Sequence, residues 1–274
     1  MEYSEKIEFK KIRDFGGILT VTFDFIRQNF KKLFLSQLFI AGPAIILYGI
    51  LSGFNQSNIL EQRTGSILGL LGLSYLILIL TAHLVITAGY SFIDLYLERT
   101  PGDFDINDVW DRVKNYFWSF LLTSIVTGIL VILGTLLLII PGIYLSVMLS
   151  IIYMIRMRED LSISDSLSRC KNLIQGHWWF TFGLLIVLYL IYYLFSFVLS
   201  IPAWIIMFIN LLHAQDGNSV FMRFLTIIVT IISSFSFIFL SVLIIGVAFH
   251  YFSLVESKEA TGLFEKLDSL DTQI

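Results

Sequence analysis

Residues 115–155 read NYFWSFLLTSIVTGILVILGTLLLIIPGIYLSVMLSIIYMI, 41 positions without one Asp, Glu, Lys or Arg. As one α-helix, at about 1.5 Å per residue, this run would extend about 62 Å, twice the roughly 30 Å of a bilayer's hydrocarbon core. It must therefore fold back inside the membrane. Pro141 and Gly142 form its only strong breaker pair. They predict a span at 117–139, a hairpin break, and a short span at 143–157 helped by Arg156 and Arg158 snorkelling outward.

Four more uncharged runs, 33–60, 64–93, 172–215 and 224–255, each exceed the roughly 20 residues a transmembrane helix needs. Composition agrees, with 57% hydrophobic residues, 14% charged and a mean hydropathy of +0.83. Soluble domains carry charge on about a quarter of their residues. Within 172–215, Pro202 leaves too few residues behind it for a second crossing, so one span is expected at 178–200, followed by an interfacial segment marked by Trp204. With spans at 33–54, 66–95 and 224–250 the total is six. The expected fold is a single all-α domain over 1–274: a polytopic helical bundle of three hairpins.

Basic residues fix the sides. With six spans, 16 of the 18 Lys and Arg fall on one side, and only Arg63 and Arg223 on the other. The positive-inside rule then places both termini in the cytoplasm. A five-span chain would send Arg156, Arg158, Arg169 and Lys171 outside and is rejected. The charged lead before residue 33 lacks a signal-peptide pattern, so the first span is expected to remain as an uncleaved anchor. A net charge of −3 disfavours nucleic-acid binding.

Each hairpin is preceded by a segment with apolar residues at spacings of three and four: Leu19, Phe23, Ile26, Phe30 and Leu33; Ile106, Val109, Val113, Tyr116 and Phe120; Ile163, Leu167, Cys170, Ile174 and Trp178. They predict amphipathic cytoplasmic helices at 16–32, 104–116 and 162–176, with Asp105 and Ser162 or Ser164 as N-caps, and a fourth at 261–272. The pattern is a candidate threefold internal repeat, against the alternative that short linkers beside membranes are amphipathic anyway. Arg27, Lys31, Lys32, Arg112, Lys114, Arg169 and Lys171 are candidate contacts for anionic lipid headgroups.

His83, near mid-depth in the second span, is the candidate intramembrane polar site, either as a packing element bonded to a neighbouring helix or as a proton or ligand site. Gly69, Gly72 and Ser74, and the serines at 233, 234, 236 and 241, read first as close-packing positions. Trp110, Trp118, Trp178 and Trp179 form an expected aromatic belt at the cytoplasmic boundary. The lone Cys170 forms no intrachain disulfide, and the four histidines lack metal-ligand spacing. No catalytic residue, metal or cofactor is expected. Membrane lipids and other membrane proteins are the expected partners, and nucleic acid is not.

Pro141-Gly142-Ile143-Tyr144-Leu145-Ser146-Val147, then Asp165-Ser166-Leu167-Ser168-Arg169 and Gly176-His177-Trp178-Trp179, resemble bacterial membrane proteins related to the membrane domain of glycerophosphoryl diester phosphodiesterases. The resemblance covers about 140–180. Met148 stands where relatives often carry a basic residue, and Asp165-Ser166-Leu167 replaces Glu-Ala-Leu. It implies a six-helix membrane body without known catalytic residues, and without the soluble phosphodiesterase domain some relatives carry. The readings carried forward are a non-enzymatic membrane scaffold or partner and, as the rival, a transporter or lipid-handling permease.

Overall fold

A computed structural model describes residues 6–60, 67–99, 103–212 and 220–260. These residues are helical with no strand among them: α1 (Phe15–Leu60), α2 (Ile67–Glu98), α3 (Ile106–Leu137), α4 (Ile139–Met148), α5 (Ile152–Arg158), α6 (Ile163–Ile174), α7 (Trp178–Leu212), α8 (Val220–Ser234) and α9 (Leu240–Glu259), with a 3₁₀ stretch, Phe235–Phe239, between the last two. Taken through their tight turns they give six helices long and apolar enough to cross a membrane. The protein is an all-α, multi-pass membrane bundle. Helices α1 and α2, α3 and α4, and α7 and α8 pack as sequential pairs.

The second hairpin turns earlier than the breaker pair would place it. Leu138 alone is extended (φ −162°, ψ 146°) between α3 and α4, and Pro141 lies in the first turn of α4. There its missing N–H costs nothing, because first-turn amides have no intrahelical acceptor. Gly142 serves the hairpin differently. A Cβ at this position would sit 2.8 Å from Thr135 Cα, so the residue permits α4 to lie against α3.

Proline does not end the other helices. α1 runs through Pro43 and α7 through Pro202, so 201–212 continues the fifth span as helix. At 35 residues, or about 52 Å, α7 outruns the hydrocarbon core and carries its last turns into the far interface or tilts. The sequence segments 16–32 and 33–54 are likewise one rod, since nothing between them breaks the i to i−4 ladder. Asp14 Oδ1 accepts from Gly17 N at 2.8 Å and starts that rod. Asp105 and Ser162 are N-caps as their sequence predicts, Asp105 in a reciprocal capping box with Asp108. Gly176, at φ +86°, takes the left-handed turn that redirects the chain from α6 into α7. The tail segment 261–272 lies outside the described residues.

The core sits around α9. Every residue from Ile244 to Leu254 is buried, so this helix is enclosed on all sides rather than along one stripe. Toward its C-terminal end, Phe9, Phe25, Phe92, Tyr96, Phe249 and Phe252 form one aromatic cluster, with Phe9 stacked on Phe249 at 4.3 Å. In the other half of the bundle, α1 meets α8 through Gly49 and Gly53, four residues apart on one face. A Cβ at Gly49 would lie 2.5 Å from Ile231 Cα, and one at Gly53 would lie 2.8 Å from Ile227 Cα. Thr230 Oγ1 donates to the Gly49 carbonyl at 2.9 Å across this contact. Gly69 and Gly72, singled out from sequence as packing positions, have open space where a Cβ would go.

Candidate functional site

Two ion-pair clusters lock the end of the bundle at which α2 finishes and α3 begins. Asp94, on the last turns of α2, has a side chain only 1% exposed. It accepts from Arg112 Nη1 at 2.8 Å and Tyr116 Oη at 2.9 Å on α3, and from Arg158 Nη1 at 3.1 Å on α5. Arg112 also pairs with Glu98. A carboxylate this buried is tolerable only because several donors, two of them cationic, replace its water. One acidic residue thereby holds three helices together. The second cluster centres on Glu159, which accepts from Arg169 Nε at 2.8 Å and Tyr251 Oη at 2.8 Å. Arg169 reaches on to Glu259. The hydrogen bond to Glu259 raises the Arg169 guanidinium above its ordinary value, with Glu159 adding to the effect. This second cluster ties the α5–α6 corner to α9 at Tyr251 and at Glu259.

These clusters redistribute the candidate headgroup contacts. Arg112 and Arg169 face carboxylates, Lys114 pairs with Asp111 at 2.7 Å, and Lys32 donates to the Phe104 carbonyl at 3.0 Å. Arg27, Lys31 and Lys171 are exposed and carry no ion pair among the described residues. Arg156 and Arg158 turn inward instead of snorkelling: Arg156 Nη2 donates to Ser119 Oγ at 2.6 Å, and Arg158 meets Asp94. Their positions at the end of a short span bring them level with acceptors on α2 and α3, which bind them more tightly than headgroup water would.

The three amphipathic faces have different surroundings. On α1 the core takes Ile18, Thr22 and Phe25, while Phe23 and Phe30 of the sequence-predicted stripe point outward. On α3 the predicted stripe is the packed one, with Val109, Val113 and Phe120 buried. On α6 the packed residues are Ser166, Cys170, Leu173 and Ile174. Burial, with the Glu159 charge nearby, pushes the Cys170 thiol up to about 12. Among the expected belt residues, Trp118 and Trp179 are exposed and Trp178 stacks on Tyr144 at 5.7 Å.

His83 is buried between α2 and α3, its Nε2 3.1 Å from the Phe117 carbonyl and its ring edge-on to Phe117. This is the geometry of a helix-to-helix tie. No cavity described below reaches it. One cavity of about 410 Å³ lies toward the far ends of α1 and α2, lined by Tyr48, Ser52, Asn55 and Ser74. A second, about 580 Å³, sits between Lys31, Lys32 and Asp103. A third, about 380 Å³ and open on one side, lies between α2, α3, the α4–α5 corner, α7 and α9. Tyr90, Tyr153 and Tyr189 line it, together with Ser124, Thr127 and Ser150. Sequence reading passed over these tyrosines because they come from three separate helices, and only their shared depth offered a signal.

No family model, curated protein or solved structure matches the chain.

Proposed function

We propose that this protein is a non-enzymatic membrane scaffold: a rigid cytoplasmic end, locked by the Asp94 and Glu159 clusters, carries a lipid-facing bundle that holds lipids or partner helices. The observation that supports this reading over a permease is α9. A helix buried on every side from Ile244 to Leu254 fills the bundle axis, and the aromatic cluster around Phe249 closes its cytoplasmic end. Alternating access needs two halves that rock about a central site, and here the centre is side chain. His83, tied to Phe117, adds to the same reading.

The scaffold sits in a bacterial inner membrane with both termini cytoplasmic, a placement supported by the sharing of 16 of 18 basic residues on one side. Arg27, Lys31 and Lys171 meet anionic headgroups at about 1 kcal/mol each. Kinship with the membrane domain of glycerophosphoryl diester phosphodiesterases belongs to this proposal, carried by Pro141-Gly142 and Trp178-Trp179. The test is retention of phosphatidylglycerol, measured by native mass spectrometry on the full chain. Replacing Arg27, Lys31 and Lys171 with Gln is expected to lower retention severalfold, whereas Lys114→Gln is expected to leave it near wild type. Equal retention by both variants refutes the headgroup role. Solute flux through proteoliposomes above that of empty vesicles refutes the scaffold.

A further inference from the structure

We propose that the partly open cavity between α2, α3, α5, α7 and α9 is a binding site for a neutral, carbonyl-bearing lipid, whose carbonyl oxygen accepts a hydrogen bond from Tyr90. The inference goes beyond the scaffold reading and does not depend on it.

Four of the hydroxyls around the cavity spend their protons on their own helices: Ser124 on the Leu121 carbonyl, Thr127 on Thr123, Ser146 on Ile143 and Ser150 on Val147, each at 2.8 or 2.9 Å. Tyr90 differs. Its side chain is 97% withdrawn from solvent, being 3% exposed, and its phenol has no hydrogen-bond partner among the described residues. The ring is fixed by stacking on Tyr153 at 5.6 Å and by the edge of Phe120 at 6.0 Å, so the hydroxyl cannot swing to another acceptor without breaking both contacts. The hydroxyl opens onto the cavity that Tyr90 lines, so an acceptor delivered there by a ligand gives it the partner that its own fold does not.

The cavity's size and lining define what delivers it. A volume of about 380 Å³ is within the range of small-ligand sites, and no charged side chain lines it. A phosphate or ammonium group would be stranded there. The remaining walls are Ile, Leu, Val and Gly128, which suit a hydrocarbon body. Depth selects further. Tyr90 lies one helical turn, about 6 Å, below Asp94 and the cytoplasmic charge cluster. That is the level at which a glycerolipid of the inner leaflet holds its ester carbonyls, with the headgroup above in the charged layer. The cavity is open on one side, so a lipid chain can enter it from the surface of the bundle.

Gly128 supplies a control. It lines the cavity, and a Cβ built on it meets nothing within 4 Å. Gly128→Leu therefore fills the site while leaving the wall intact. The detergent-solubilised, delipidated full chain is titrated by native mass spectrometry with dioleoyl phosphatidylcholine, its ether-linked analogue, which lacks ester carbonyls, and decylubiquinone, which carries ring carbonyls. Expected is one site preferring the ester lipid to the ether lipid. Tyr90→Phe weakens ester binding by about threefold to tenfold and erases the preference, as for one lost hydrogen bond. Gly128→Leu abolishes the site with melting temperature unchanged or raised. Decylubiquinone binding that is sensitive to both substitutions while the ester lipid shows none keeps the carbonyl site and assigns it to a quinone. Binding of all three ligands that ignores both substitutions overturns the proposal. So does equal ester and ether affinity in the wild type.

Discussion

Gly49→Leu tests a contact between helices far apart in the sequence, α1 and α8. A Cβ at Gly49 would lie 2.5 Å from the backbone of Ile231 and 2.9 Å from Ser234 Oγ, where carbon neighbours normally rest at about 3.5–4.0 Å. Backbone cannot swing aside as a side-chain tip can, so α1 and α8 must part by about 1 Å or more. A gap of that size forfeits a quarter to a half of the dispersion energy along the seam. It also stretches the bond from Thr230 Oγ1 to the Gly49 carbonyl, now 2.9 Å. Overpacking of this kind costs about 1–3 kcal/mol, and Leu sits at the upper end. Against it stands the better helix propensity of Leu over Gly, just under about 1 kcal/mol, leaving a net loss of about 2 kcal/mol. At about 2–4 °C per kcal/mol for a chain of this order, the melting temperature should fall by about 4–8 °C. The assay is thermal unfolding in mild detergent followed by size exclusion, with Gly72→Leu beside it. Gly72 has open space at its Cβ, so that variant should melt at or slightly above wild type. If Gly49→Leu and Gly72→Leu melt alike, α1 does not pack on α8 as described.

Asp94→Asn removes the charge that two guanidiniums share. Because the Arg112 and Arg158 side chains remain 24% and 33% exposed, the loss should fall short of a fully buried pair, at about 2 kcal/mol, read by the same unfolding assay. Cys170, with a thiol near pKa 12, is almost wholly protonated at pH 8. Its maleimide labelling in the native protein should be on the order of a thousandfold slower than in the denatured chain, and should rise with pH well above 9. Reporters placed in 55–65 and 213–222 should read extracytoplasmic, and one at the C-terminus cytoplasmic. A cytoplasmic signal from 55–65 would reverse the orientation.

Six spans were readable because lipid imposes one rule on every residue that faces it, and 16 of 18 basic residues obeyed one arrangement of sides. Asp105 and Ser162 were readable as caps because a cap is a local motif. What escaped depends on pairing across distance. Gly49 and Gly53 are small residues four apart, yet so many others share that spacing that only α8, 181 residues from Gly49 at Thr230, shows which pair packs. Asp94 and Glu98 follow directly on the uncharged run 64–93, but their choice of Arg112 and Arg158 depends on helix depth and rotation. The same holds for Phe23 and Phe30: α1 carries two apolar stripes, and periodicity could not decide which of them meets protein. At Pro141 the local rule itself misled, since a proline can begin a helix as readily as break one.

The enclosed position of α9 also sets a schedule for biogenesis. The helix that fills the axis is made last, while its partners are made first. Phe9 stacks on Phe249, and Arg13 N donates to Ser253 Oγ across 240 residues of chain. Gln37 on α1 is buried between the Val85 carbonyl and Ser241 Oγ, the latter 204 residues downstream. At about 5–20 residues per second of synthesis, α1 stands in the bilayer for roughly 10–50 s before the groups that complete it emerge. Assembly of this protein is a closing ring rather than a growing stack, so a ribosome that stalls before residue 240 leaves an inserted, correctly oriented chain with a hollow centre, open to whatever quality control patrols the membrane.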